Sequence, residues 1–184
     1  VFQGGPRARL DGASALIASG LSRFSQEKIR VSVPRGAKVR RTSLFNIRQT
    51  RRWVADDQMP GGIPRARPAS AAIRAALWAK TDRQATLILT MVVQQGLTTV
   101  EELAKQALLI RRDKRRTLVQ VLVLDLMDGA TSLGEIDFVK ECRRRGLPLP
   151  TQQVVRRGRG GRYYLDMYWK EWRLVVEIDG IHHA

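Results

Sequence analysis

Tyr164-Leu-Asp-Met-Tyr-Trp169 and Arg173-Leu-Val-Val-Glu-Ile-Asp-Gly-Ile-His-His183 decide how the C-terminal part of this chain folds. Both runs are rich in Tyr, Trp, Val, Leu and Ile, which favours strands, yet Asp166, Glu177 and Asp179 interrupt them. Side chains alternate along a strand, so Arg173, Val175, Glu177 and Asp179 share one face and Leu174, Val176 and Ile178 the other. A two-residue turn at Lys170-Glu171 places Asp166 opposite Val175 and diagonal to Glu177 on that same face, with Cβ atoms about 7 Å apart. A four-residue loop preserves this parity, and a three-residue loop breaks it. Any one of these acids reads as the wet face of an amphipathic strand. Together they repel one another in a partly dry site unless a cation enters, and magnesium or manganese fits oxygen ligands best.

Working outward, Ser132 and Glu135 frame a helix running to Arg145, stopped by Gly146 and Pro148. A strand from Gln152 to Arg157 follows, then a glycine-rich turn at Gly158-Arg-Gly-Gly and a strand over Arg162 to Trp169. The turn is also similar to an arginine–glycine RNA-binding box. Glu135 stands at the capping-box position opposite Ser132, which by itself accounts for it. Trp169 and Trp172 read as core or turn-packing aromatics, and Cys142 as a small apolar residue on a helix.

Residues 69–130 have a helical pattern: Ala69 to Ala79, Asp82 to Gln95, Val100 to Ile110 and Lys114 to Met127. Thr81 with Gln84, and Thr98 with Glu101, have capping-box spacing. Residues 1–68 begin with a helix from Asp11, ended by Gly20. Strands follow over Lys28 to Val33 and over Val39 to Ile47, and a Pro- and Gly-rich loop leads to Pro68. The fold expected is α+β, with a β-rich part (1–68), a central helical segment (69–130) and a C-terminal α/β core (131–184).

The 184 residues carry 33 Lys and Arg against 17 Asp and Glu, a net charge of +16. The surplus is concentrated: 14 basic against 4 acidic residues in 1–68, 9 against 6 in 69–130 and 10 against 7 in 131–184. Such an excess points to a polyanion, with DNA as the leading partner and RNA behind it. Arg35, Lys38, Arg40, Arg41, Arg51 and Arg52 in the first part, and Arg111, Arg112, Arg115 and Arg116 between two helices, are the expected phosphate contacts. The second group also reads as a solvated helix end. Apolar runs such as Val121-Leu-Val-Leu fall far short of the roughly 18 residues a membrane span needs, and no signal-peptide pattern is present. One cysteine excludes an internal disulfide and a Cys-based zinc site, and a cytoplasmic location is expected.

A helix with Glu135, a strand with Tyr-Leu-Asp166 and a strand with Glu177-Ile-Asp179-Gly resemble the core of the PD-(D/E)XK nuclease superfamily. Ser132-Leu-Gly-Glu-Ile-Asp-Phe138, Arg162-Tyr-Tyr-Leu-Asp-Met-Tyr-Trp169 and Val175-Val-Glu-Ile-Asp-Gly-Ile-His-His183 resemble more narrowly the very-short-patch-repair-like endonuclease domain of actinobacterial proteins. Leu10-Asp-Gly-Ala-Ser-Ala-Leu16 resembles the antitoxin region of abortive-infection toxin–antitoxin systems. The resemblance implies a restriction-endonuclease-like core with Asp166 and Glu177 as metal-binding acids, Glu135 as the supporting helix acid and Mg²⁺ or Mn²⁺ as cofactor. Asp179 departs from the superfamily's usual lysine, which leaves the catalytic base unassigned; His182 or His183 can take that role. The family continues past His183 with a helix and a strand and begins with a winged helix, so the chain is expected to be a piece of a longer protein. Three functions stay open here: a metal-dependent DNA endonuclease, a non-catalytic DNA-binding antitoxin or regulator on a degenerate nuclease fold, and an RNA-binding module. A cognate toxin or a second copy is a further expected partner.

Overall fold

The structure is a computed structural model, and it describes residues 7–37, 39, 43–50, 54–129, 133–158 and 161–178. Among these residues the fold is mixed α+β, with six α-helices and two three-stranded sheets. The chain divides into two compact units, Val1–Val123 and Leu124–Ala184.

The first unit contains β1 (Arg9–Leu10), α1 (Gly12–Ile17), β2 (Ile29–Pro34), β3 (Phe45–Thr50), α2 (Pro68–Leu77), α3 (Asp82–Gln94) and α4 (Val100–Leu108). The division falls within α5 (Arg116–Met127). β1 pairs antiparallel with β2, and β3 pairs parallel with β2. The strand expected at Val39 to Ile47 lies at Phe45–Thr50 instead, where Phe45 and Ile47 pack against buried Val31 and Val33. β1 was not expected, since two residues are too few for an alternating pattern; it is held by its pairing with β2 and by Leu10 N–H bonding to Pro64 O at 2.8 Å.

A charged lattice binds α1, β2 and α2 together. Asp11 is 2% exposed and caps α1 by accepting from Gly12 N–H at 2.7 Å. It also accepts from Ser32 Oγ at 2.6 Å and from Arg74 Nε at 2.7 Å. Asp57 accepts from Arg9 and Arg74, each at 2.8 Å. Buried charges persist only when paired in this way.

The helix-start signals hold with a shift at one site. Thr81 Oγ1 accepts from Gln84 N–H at 3.1 Å, as the capping-box spacing requires. At α4 the cap is Thr99, which accepts from Glu102 N–H at 3.2 Å, whereas Thr98 is buried and donates to Glu102 Oε2 at 2.6 Å. Both Thr98 and Thr99 have a glutamate three residues on, so spacing alone does not choose between them. α5 starts at Arg116 because the Asp113 carboxylate takes Arg115 N–H at 2.9 Å, turning the chain before the helix.

The second unit contains α6 (Leu133–Arg144) and an antiparallel meander of β4 (Thr151–Gly158), β5 (Gly161–Trp169) and β6 (Leu174–Val176). Its core joins Val139 and Cys142 of α6 to Met167 and Trp169 of β5, with Phe138, Val176 and Ile178 packed against them. Trp169 donates through Nε1 to Pro148 O at 2.8 Å and meets Phe138 edge-on. Trp172 is exposed in the following turn.

The β5–β6 turn differs from the two-residue expectation. The closing pair is Trp169 and Leu174, so Lys170 to Arg173 form a four-residue loop, and Arg173 adopts φ +50° to close it. Arg173 therefore lies in the loop, outside β6. β6 also ends at Val176, three residues before the expected Asp179.

Candidate functional site

The register decides which acids can meet. Met167 pairs with Val176 and Tyr168 with Val175, so extending the ladder by one step sets Asp166 opposite Glu177 rather than diagonal to it. Val176 and Ile178 pack into the core, and Glu177 between them faces away from it and is exposed. Asp166 follows the same alternation beside buried Met167. The four-residue loop thus keeps both acids on one side of the sheet, as parity demands.

Asp166 is held from two sides. Its Oδ2 accepts from Ile178 N–H at 2.9 Å, taking a backbone donor just beyond the end of β6. Its Oδ1 lies 3.4 Å from Gln153 Nε2, and the same nitrogen lies 3.5 Å from Oε2 of Glu135. Glu135 is only 3% exposed. The two carboxylates are therefore no farther apart than the sum of those contacts, with one amide group between them. Both contacts are long for hydrogen bonds, so the amide sits loosely between the acids.

Gln153 reaches this place through an unusual backbone. It has φ +50°, and it falls between the paired Gln152–Met167 and Val154–Leu165, opposite Asp166. A non-glycine residue in that region carries backbone strain of about 1–3 kcal/mol, which the surroundings must offset. Sequence reading passed over Gln153. The available signal was a polar residue in a strand at the position facing Asp166, legible only with the β4–β5 register in hand.

The pair joined through the amide is Glu135 with Asp166, whereas the expected metal pair was Asp166 with Glu177. Among the described residues no hydrogen bond or ion pair joins Glu177 to Asp166, and no three His, Cys, Asp or Glu side chains converge closely enough to hold a metal ion. Asp179, His182 and His183 lie outside the described residues, as does Ser132, the expected capping partner of Glu135. Two carboxylates around a displaceable amide nevertheless match the protein ligands a hard cation uses, one or two acids with water completing the shell. Carboxylate oxygens are the ligand type such an ion takes.

The basic candidates separate clearly. Arg115 is turned inward: it pairs with Asp82 at 2.8 Å and donates to Ala79 O at 2.6 Å and Leu77 O at 3.3 Å, closing the end of α2. Its guanidinium is engaged with the end of α2 in the structure. Arg116 donates to Arg111 O at 3.1 Å from an exposed position, and Arg35, Arg111 and Arg112 are exposed. Lys38, Arg40, Arg41, Arg51 and Arg52 lie outside the described residues.

Among the described residues no helix is long and apolar enough to cross a membrane. No family model, curated protein or solved structure matches the chain.

Proposed function

We propose that the chain is a DNA-binding protein whose second unit is a metal-dependent, restriction-endonuclease-like domain that cuts phosphodiester bonds, akin to the very-short-patch-repair-like branch. One observation carries this reading: the Gln153 amide between Glu135 and Asp166, which marks a place built for a positive or donating group beside a strand-borne acid. Magnesium or manganese bound there supplies charge neutralisation on the transition-state phosphate and an acidified water.

The side chains have distinct tasks. Ile178 N–H fixes Oδ2 of Asp166 and so presents Oδ1 toward Glu135. Burial of Glu135 at the first turn of α6 sets the second oxygen donor. Gln153 places its amide between the two acids, and Glu177 adds negative charge on the same side of the sheet.

The test is nicking of supercoiled plasmid by the full chain with Mg²⁺ or Mn²⁺. Asp166→Asn and Glu135→Gln should each lose at least the 10- to 100-fold, roughly, that disturbing a metal's supporting shell costs, and Glu177→Ala should lose less. Equal cleavage by the wild type and all three variants refutes the site.

A second reading, a non-catalytic DNA-binding regulator on the same fold, is favoured by the absence of a three-acid cluster among the described residues. Tight DNA binding without metal-dependent cleavage selects it.

A further inference from the structure

The charges around Trp78 in the first unit do not cancel. Arg9 and Arg74 are matched by Asp11 and Asp57 through the bonds described above. Arg30 of β2 and Arg48 of β3 form no ion pair with a carboxylate among the described residues, although the Asp11 charge partly offsets that of Arg30, and both guanidinium groups lie over the same indole, at 5.6 and 4.7 Å from the centroid of Trp78. One arginine on a tryptophan is ordinary packing. Two carry mutual repulsion that packing alone does not need.

The platform beneath them is built. Trp78 closes the C-terminal end of α2, and its ring edge rests on Gly12, where a Cβ would come within 3.1 Å of Cε3 and Cζ3. Gly12 also has φ +52°, so the backbone there favours glycine twice over. The register places Arg30 beside Asn46 and Ser32 beside Arg48 on one face of the parallel pair. Trp78 lines two cavities: one of about 570 Å³ that includes Arg30, Lys28 and Asn46, and one of about 300 Å³ that includes Arg48 and is floored by Asp11, Ser32 and Arg74. The Arg30 guanidinium is held below its usual range, by burial first and by the charge of Arg48 next.

We propose that Arg30, Arg48 and Trp78 form a phosphate-binding site that takes one phosphate group of a nucleic-acid backbone. A guanidinium's N–H donors lie in its own plane, so one held over an indole can still present them to phosphate oxygens. A backbone phosphodiester has two charged non-bridging oxygens, so each guanidinium can take one of them. The excess of ten positive charges in residues 1–68, from 14 basic and 4 acidic residues, makes a polyanion the natural bearer of that phosphate. This site stands apart from the metal-site reading, since it uses none of the same residues.

The experiment measures binding of the full chain to labelled duplex and single-stranded oligonucleotides by fluorescence anisotropy across a salt series. Losing one phosphate contact makes the slope of log K against log salt shallower by about 0.9 on duplex or about 0.7 on single strands. Arg30→Gln/Arg48→Gln should show that change, while the charge-matched Arg83→Gln/Lys105→Gln should keep the wild-type slope. Arg48 is exposed, so Arg48→Gln alone leaves the fold intact and should weaken binding about tenfold or more, the cost of losing a charge-assisted hydrogen bond. Inorganic phosphate at matched ionic strength should compete with the oligonucleotide for the wild type and lose that advantage over chloride for the double variant. A slope unchanged in the double variant, or lowered equally in the control, overturns the site. Competition by inorganic phosphate with unchanged oligonucleotide affinity in Arg48→Gln overturns the nucleic-acid assignment.

Discussion

Asp11 should affect stability and anion binding in opposite directions. Its carboxylate caps α1 through Gly12 N–H, takes the Ser32 hydroxyl and pairs with Arg74 at 2.7 Å, all at 2% exposure. Asp11→Asn keeps an oxygen for the cap but removes the charge. Breaking a buried pair by neutralising one partner costs about 3–5 kcal/mol. The lower end applies because the Arg74 side chain is 27% exposed and retains Asp57 at 2.8 Å. Asp11→Ala also loses the cap, about 1 kcal/mol, and leaves the Ser32 hydroxyl without its acceptor, about another 1 kcal/mol. The expected losses are therefore about 3 kcal/mol for Asn and about 5 kcal/mol for Ala.

The assay should be local, because a chain of two units need not unfold in one transition. Native-state hydrogen exchange at the amides of α1 and β2 reads the opening of this lattice directly. At 1.4 kcal/mol per tenfold, Asp11→Asn should speed exchange by about 100-fold. It also leaves the surroundings of Trp78 one charge more positive, so oligonucleotide affinity in the folded protein should rise while protection falls. Exchange accelerated by less than about fivefold refutes the buried-pair argument, and weaker oligonucleotide binding at full folding refutes the charge count around Trp78.

Two further perturbations test other parts of the molecule. Glu141 accepts from Arg144 and Arg145, both at 2.5 Å, and these bonds hold its carboxyl down to about 2. A depressed carboxyl contributes stability that is complete above its unfolded pKa of about 4.3 and is lost as pH falls through about 2. A carboxyl NMR titration should therefore place Glu141 near 2 in the wild type and return it to the ordinary range in Arg144→Gln/Arg145→Gln, with high salt weakening the effect because the groups are exposed. In the core of the second unit, Trp169→Ala should cost about 3–5 kcal/mol in native-state hydrogen exchange at the β5 amides, and Trp169→Phe markedly less, since Phe refills most of the space and loses chiefly the bond to Pro148 O.

What was legible in the sequence divides along physical lines. The helices of residues 68–127 were readable within a few residues because apolar period, caps and glycine stops are local signals. The alternation that put Asp166 and Glu177 on one side of a sheet was equally local. The turn was not: Lys170-Glu171 offers no glycine or asparagine, and Arg173 supplies the left-handed residue that lengthens the loop to four. That change moved Glu177 from diagonal to opposite Asp166. Glu135 had two readings in the sequence, a cap three residues after a serine and, by resemblance, a supporting helix acid; its burial beside Gln153 is legible only in the structure. Arg30, Arg48 and Trp78 are separated in sequence and share no pattern; they meet because β2 and β3 run parallel and α2 ends beside them.

Parallel pairing also explains why the two candidate sites have opposite charge logic. In β2 and β3 the residues of one parity, Val31, Val33, Phe45 and Ile47, form a core, which forces Arg30, Ser32, Asn46 and Arg48 together on the other face. Buried Asp11 meets Arg74 there, so the two remaining guanidinium groups keep a surplus of positive charge, which the proposed phosphate would cancel. In β5 and β6 the core takes Met167, Trp169, Val176 and Ile178, which leaves Asp166 and Glu177 on the other side while α6 brings Glu135 to the same amide as Asp166. That surplus is negative, and the proposed cation would cancel it. Each site follows from what its own sheet must bury, so abolishing one by mutation should leave the other's ligand binding unchanged.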